Sequence, residues 1–152
     1  MTGIVIKYFF LGTLISFAYG LKYELFDPKT LFYVSLGGGI SWLSYIMLYK
    51  YLDFREIHAY FLASLFMSIY AEVMAIRKKK PVTIFLLVAM LPIVPGKMIY
   101  DSMTLFAKGQ TQEALAIGAQ TFAIAGALAM GNLLASTVSM IIRKSKLART
   151  NI

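Results

Sequence analysis

Apolar residues come in long runs along this chain, and polar ones collect in short connectors between them. From Gly3 to Leu21, "GIVIKYFFLGTLISFAYGL", Lys7 is the one charged side chain; further runs cover Leu31 to Tyr49, Ile57 to Ile76, Pro81 to Phe106 and Ala114 to Ile142. A helix crossing a hydrocarbon core of about 30 Å needs roughly 20 mostly apolar residues. The pattern therefore predicts an all-α integral membrane protein, a single membrane domain over residues 1–152 with about five transmembrane helices (3–21, 31–49, 57–76, 81–106 and 114–142). The separators "KYELFDPKT", "KYLDFRE" and "RKKKP" are too short for soluble domains, and tyrosines gather near several run ends, as interfacial anchors do.

The fourth run contains its own interruption, "LPIVPGKMIYDSM". Ten residues from Pro81 to Met90 rise about 15 Å, half of a bilayer core, so the break at Pro92–Gly96 falls near mid-membrane. Pro92 lacks an N–H and crowds the carbonyl of Val88; Pro95 does the same to Leu91; Gly96 permits backbone conformations closed to other residues. If helix resumes at "KMIYDSMTLFA", its new amino terminus faces the freed carbonyls, and an anion and an ammonium each find a complementary end. Transporters use discontinuous helices in this way. The alternative is a span ending at Pro95, with residues 97–108 forming an amphipathic helix on the outer surface.

Charge sets the orientation. Arg77, Lys78, Lys79 and Lys80 form the strongest basic connector, and Arg143, Lys144, Lys146 and Arg149 mark residues 143–152 as a basic tail. The positive-inside rule puts both in the cytoplasm, which five spans satisfy with the amino terminus outside and the carboxy terminus cytoplasmic. The first run has neither a basic start nor a small-residue cleavage site, so it reads as a span and not as a cleaved leader. The expected location is a cell membrane, the plasma membrane of a bacterium.

Within the spans, a carboxylate is a functional candidate by default, which singles out Glu72 and, beyond the break, Asp101 as proton-coupling groups. Glu72 has a simpler reading, an ion pair with Arg77 or Lys78. Lys97 and Asp101 stand four apart and so can pair on one helix face. His58 falls at the outer mouth of the third span and reads as interfacial. Ala119, Ala123, Ala127, Gly131, Ala135 and Ser139 recur every four residues in the fifth span, a close-packing face toward the rest of the chain or a second subunit. Gly37, Gly38, Gly39 and Trp42 mark a second close approach. Gln120, Thr121 and Asn132 either bind substrate or join helices.

Composition narrows the function further. The chain is 59% hydrophobic with a mean hydropathy of +0.72. With no cysteine and a single histidine, no disulfide, thiolate metal site or zinc site is expected. The net charge of +8 sits in clusters between apolar spans, which suits lipid headgroups and not nucleic acid. No catalytic triad, metal cluster or dinucleotide fingerprint is present in the sequence, so neither an enzyme nor a cofactor is expected.

At "AIRKKKPVTIFLLVAMLPIVPGKMIYDSM" the chain resembles the threonine/serine exporter family, in the short half that forms the carboxy-terminal membrane part of fused members or a separate small subunit. The resemblance rests on the basic connector Arg77 to Lys80, Pro81, the Pro-x-Val-Pro-Gly break at Pro92, Val94, Pro95 and Gly96, and the aromatic Tyr100. "GGGISWLSY" and the small-residue fifth span extend it over nearly the whole chain; Lys97 and Asp101 depart from the family pattern. It implies the small subunit of a secondary exporter of threonine and serine, or of dicarboxylates, coupled to protons and working with a larger membrane subunit. Pro92, Pro95, Gly96, Lys97 and Tyr100 would then line the substrate site. Alternatives are a non-transporting scaffold that stabilises a larger partner, and a homo-oligomer.

Overall fold

The structure, a computed structural model, describes residues 2–22 and 27–150, with side chains for 5–21 and 27–142. The middle of the first connector and the side chains of the basic tail therefore lie outside the described residues. Regular structure among the described residues is helical throughout: α1 (Thr2–Lys22), α2 (Pro28–Ile46) continued by a π turn (Met47–Tyr51), α3 (Glu56–Lys78), α4 (Val82–Met90), a 3-10 turn (Leu91–Ile93), α5 (Gly96–Ala107) and α6 (Thr111–Thr150).

Pro28–Tyr51, Glu56–Lys78 and Thr111–Ile142 are long and apolar enough to cross a membrane. Val82–Ile93 and Gly96–Ala107, bent by 55°, make a fourth crossing if taken together, while the apolar part of α1, Val5–Leu21, is shorter. On length and composition the five expected spans thus become three or four. α6 also continues through its basic end to Thr150, since Arg, Lys and Leu all favour helix.

Local chemistry sets the helix ends. Asp27 caps α2, accepting from the Thr30 N–H (3.3 Å) and hydroxyl (2.6 Å), and Pro28 occupies the first turn. α3 stops where Lys79 turns left-handed (φ 53°), and Pro81 leads into α4. α5 closes with Gly109 at φ 78°: its N–H reaches the Phe106 carbonyl (3.1 Å) and the Gln110 N–H reaches Leu105 (3.0 Å), a Schellman closure that folds α5 back on α6.

α2 and α3 occupy the middle of the bundle, with α1 on α2, α4 against both, and α6 on α3. α1 and α2 run antiparallel and nearly touch: a Cβ on Gly38 would lie 1.8 Å from Ser16 Oγ. α3 and α6 run parallel, linked by Gln120 to Glu56, Ser68 to Asn132 and Ser139 to Glu72. A Cβ on Gly131 would stand 2.0 Å from Ser64 Oγ and 2.6 Å from the Phe61 carbonyl. The four-residue stripe does not stay on this face: Ala127, Gly131 and Ala135 are buried, whereas Ala119 and Ala123 are exposed. Each step of four advances about 40° around a helix of 3.6 residues per turn, so the stripe winds off its partner.

Two cores stack along the bundle. Val34, Met67, Ala71, Phe85 and Ala89 fill the half nearer Arg77–Lys80; Tyr45, Tyr60, Ile93, Ile124 and Leu128 fill the other. α4 breaks between them.

Candidate functional site

At the break, α4 ends after nine residues, about 14 Å. The Val88 carbonyl accepts from Ser16 Oγ of α1 (3.0 Å) and from the Leu91 N–H, and the Ala89 carbonyl accepts from Ser41 Oγ of α2 (2.7 Å). The Leu91 carbonyl accepts from the Val94 N–H (3.3 Å). The acceptors expected to await a ligand are therefore partnered inside the chain. An unpaired carbonyl in apolar surroundings costs several kcal/mol, on the order of 2–7, and neighbouring hydroxyls remove that cost. Asn132 of α6 adds a third tie, donating to Met90 Sδ (3.2 Å) while its carbonyl oxygen accepts from Ser68.

Gly96 also departs from expectation. Gly109 is the glycine with positive φ among the described residues, Gly96 is helical, and a Cβ there would meet nothing within 4 Å. The bend comes from Val94 in extended conformation and from Pro95 (ψ 50°), and not from glycine freedom.

The five substrate-site candidates separate into two groups. Pro92 and Pro95 are buried, whereas Gly96, Lys97 and Tyr100 face outward, Tyr100 at 69% exposure. Lys97 and Asp101 form an ion pair on this outer face. No side chain caps the amino terminus of α5. Asp101 and Glu72, the two carboxylate candidates, lie on separate elements, one exposed to the surface of α5 and the other buried on α3.

Glu72 is 8% exposed and forms part of the wall of a cavity of about 820 Å³. α3 supplies Ile69, Val73 and Ile76 beside it, the α3–α4 turn supplies Lys79 and Lys80, and α6 supplies Ala135, Val138, Ser139 and Ile142. Ser139 Oγ donates to Glu72 Oε2 (2.9 Å). Lys78, one of the two expected partners of Glu72, instead places its ammonium 3.8 Å from the ring centroid of Tyr33. Lys80 pairs with Asp27 and donates to Thr30 Oγ1 (2.8 Å). That ion pair and the Thr30 hydroxyl pull the Asp27 carboxyl down from 3.8 to about 2. The basic turn is thereby fastened to the start of α2.

The glycine packing candidates occupy close approaches between helices: Gly37 against the Ala89 and Tyr70 side chains, Gly38 and Gly39 against α1, Gly131 against α3. His58 is exposed in the first turn of α3. Sequence reasoning did not find Ser16, Ser41 or the pairing of Ser139 with Glu72. Each is a lone hydroxyl in an apolar run, and the prolines and carboxylate that need a donor were the available signal.

Residues 8–138 match the model of a family described as Threonine/Serine exporter, ThrE. No curated protein and no solved structure matches the chain. The match takes in the break, all of α3 with Glu72 and most of α6, and this multi-pass membrane protein belongs to the threonine/serine exporter family.

Proposed function

We propose that the chain is the small subunit of a secondary exporter that moves threonine and serine out of the cell in exchange for protons, alongside a larger membrane subunit. The observation that carries this reading is Glu72: a carboxylate buried within an apolar span, on the wall of a cavity of about 820 Å³, in a chain of an exporter family. Protonation neutralises such a group, which makes it suited to couple a proton to transport.

In this reading the chain crosses the cell membrane five times, with α1 as one crossing and the α4–α5 pair as another. The basic end is cytoplasmic and the amino terminus is outside. Pro92 and Pro95 shape the substrate path from within. Gly96, Lys97 and Tyr100 face away from this chain's own core, so the larger subunit would complete the path there, with Asp101 as a second proton-coupling group.

The test is proton-gradient-driven uptake of labelled threonine into inverted vesicles that hold both subunits. Glu72→Gln is expected to abolish gradient-driven uptake while the complex still assembles. Undiminished uptake in that variant would remove Glu72 from the coupling. A scaffold role draws on a different observation, the apolar outer face of α6, the least buried of the three long spans. Assembly with no movement of threonine by the pair would favour it.

A further inference from the structure

We infer that the groove between α3 and α6 at the basic end of the bundle is a site for one anionic phospholipid, which lays an acyl chain along the groove and sets its phosphate on Lys79. The site is independent of any transport role and lies apart from the proline break.

α3 and α6 approach backbone to backbone at Gly131, where a Cβ would stand 2.6 Å from the Phe61 carbonyl. Beyond that contact the cavity of about 820 Å³ opens between them and runs to the α3–α4 turn. Its rims, Ile69, Val73 and Ile76 on α3 with Val138 and Ile142 on α6, are between 39% and 56% exposed, so the cavity is a groove open along its side. Ile69 lies ten residues before Lys79, about 15 Å along the axis, which is half of a hydrocarbon core of about 30 Å. The groove is therefore one leaflet deep. That depth suits an acyl chain, whereas a helix of a second subunit crosses both leaflets and has no groove to follow past Gly131.

The charge at its mouth comes from the basic turn. Lys78 is held over the Tyr33 ring, and Lys80 by Asp27 and Thr30. Lys79 is exposed, has no ion-pair partner among the described residues, and ends α3 in the left-handed conformation that glycine usually takes there. It lines the groove beside Lys80. Asp27 is neutralised by Lys80, and Glu72, seven residues before Lys79, lies about 10 Å deeper along α3. A basic pocket between membrane helices, opening onto an apolar slot, is the arrangement that recognises an anionic headgroup. A zwitterionic headgroup brings its own ammonium to the same place, which offsets the attraction.

A phosphatidylglycerol that carries a photoactivatable diazirine on one acyl chain reads both halves of this site. The full chain would be reconstituted with the probe in phosphatidylcholine vesicles and irradiated, and the labelled peptides identified by mass spectrometry. Label is expected on residues 69–76 and 135–142. Unlabelled phosphatidylglycerol is expected to suppress it about fivefold more effectively than phosphatidylcholine, the preference that one lysine near the surface gives for an anionic lipid. Glycerol phosphate, a headgroup without chains, is expected not to compete. Lys79→Gln is expected to abolish the preference and Lys79→Arg to keep it, while Lys108→Gln, an exposed lysine at the opposite end of the bundle, leaves it unchanged. Label absent from the groove or spread evenly over the outer helix faces, equal competition by the two lipids, or competition by glycerol phosphate would overturn the inference. So would a preference that survives Lys79→Gln or disappears in Lys108→Gln.

Discussion

The proline break and the Glu72 cavity are both places where polar chemistry enters an apolar bundle, yet they are built in opposite ways. At the break, the Val88 carbonyl released by Pro92 and the adjacent Ala89 carbonyl are capped by Ser16 and Ser41 of the same chain, and Pro92 and Ile93 are buried between the two cores. At the cavity, the Glu72 carboxylate of α3 lines an open volume and accepts from the Ser139 hydroxyl of α6. The first arrangement satisfies its polar groups internally and so acts as a joint. The second sets a carboxylate beside a space that a small molecule can fill.

Substitutions test this contrast, beginning with one that disturbs both regions. Gly131→Ile drives a side chain into Ser64 and the Phe61 backbone and pushes α6 off α3, which removes Asn132 from the break and Ser139 from the cavity together. Overpacking of this kind costs about 3 kcal/mol, and a large loss of thermal stability in detergent is expected; a stable, active variant would show that α6 is not what joins the regions. Ser16→Ala with Ser41→Ala affects the break alone. Uncapping the carbonyls is expected to destabilise the protein by about 1–3 kcal/mol while threonine affinity stays near wild type, and a selective loss of affinity would make the break more than a joint.

Asp27→Asn affects only the basic end. The Asp27 carboxyl titrates lower in the folded protein than its ordinary 3.8, so its stabilisation is present above that value and is lost as pH falls toward about 2. A small drop in melting temperature is expected at pH 7, vanishing near pH 2; a gap that persists in acid would mean the ion pair is not its source. The smallest effect is expected for Lys97→Met, within about 0.5 kcal/mol of wild-type stability, because the pair with Asp101 is exposed. A transport defect there with stability intact would support the outer face of α5 as a surface completed by the larger subunit.

The helical membrane character was legible because apolar run length is a direct readout of bilayer thickness, and the break because Pro92 and Pro95 act on their own backbone. What escaped was everything carried by partners distant in sequence. Ser16 lies 72 positions from the carbonyl it caps, and Ser139 lies 67 from Glu72, so neither pairing has a local pattern. Gly96 misled for the converse reason: a glycine after a proline suggests unusual φ, but here ordinary helical geometry begins at once. The winding of the small-residue stripe was legible in principle, since 40° per step follows from helix geometry alone.

The two serine caps also bear on the order in which the chain can be made. α4 is too short to cross a bilayer by itself, and its last carbonyls would sit in hydrocarbon without donors. Their donors belong to α1 and α2, which leave the ribosome before α4 does. A nascent chain arrested after Val94 already carries the donors to the Val88, Ala89 and Leu91 carbonyls, so these bonds can form during synthesis before α5 or α6 is made.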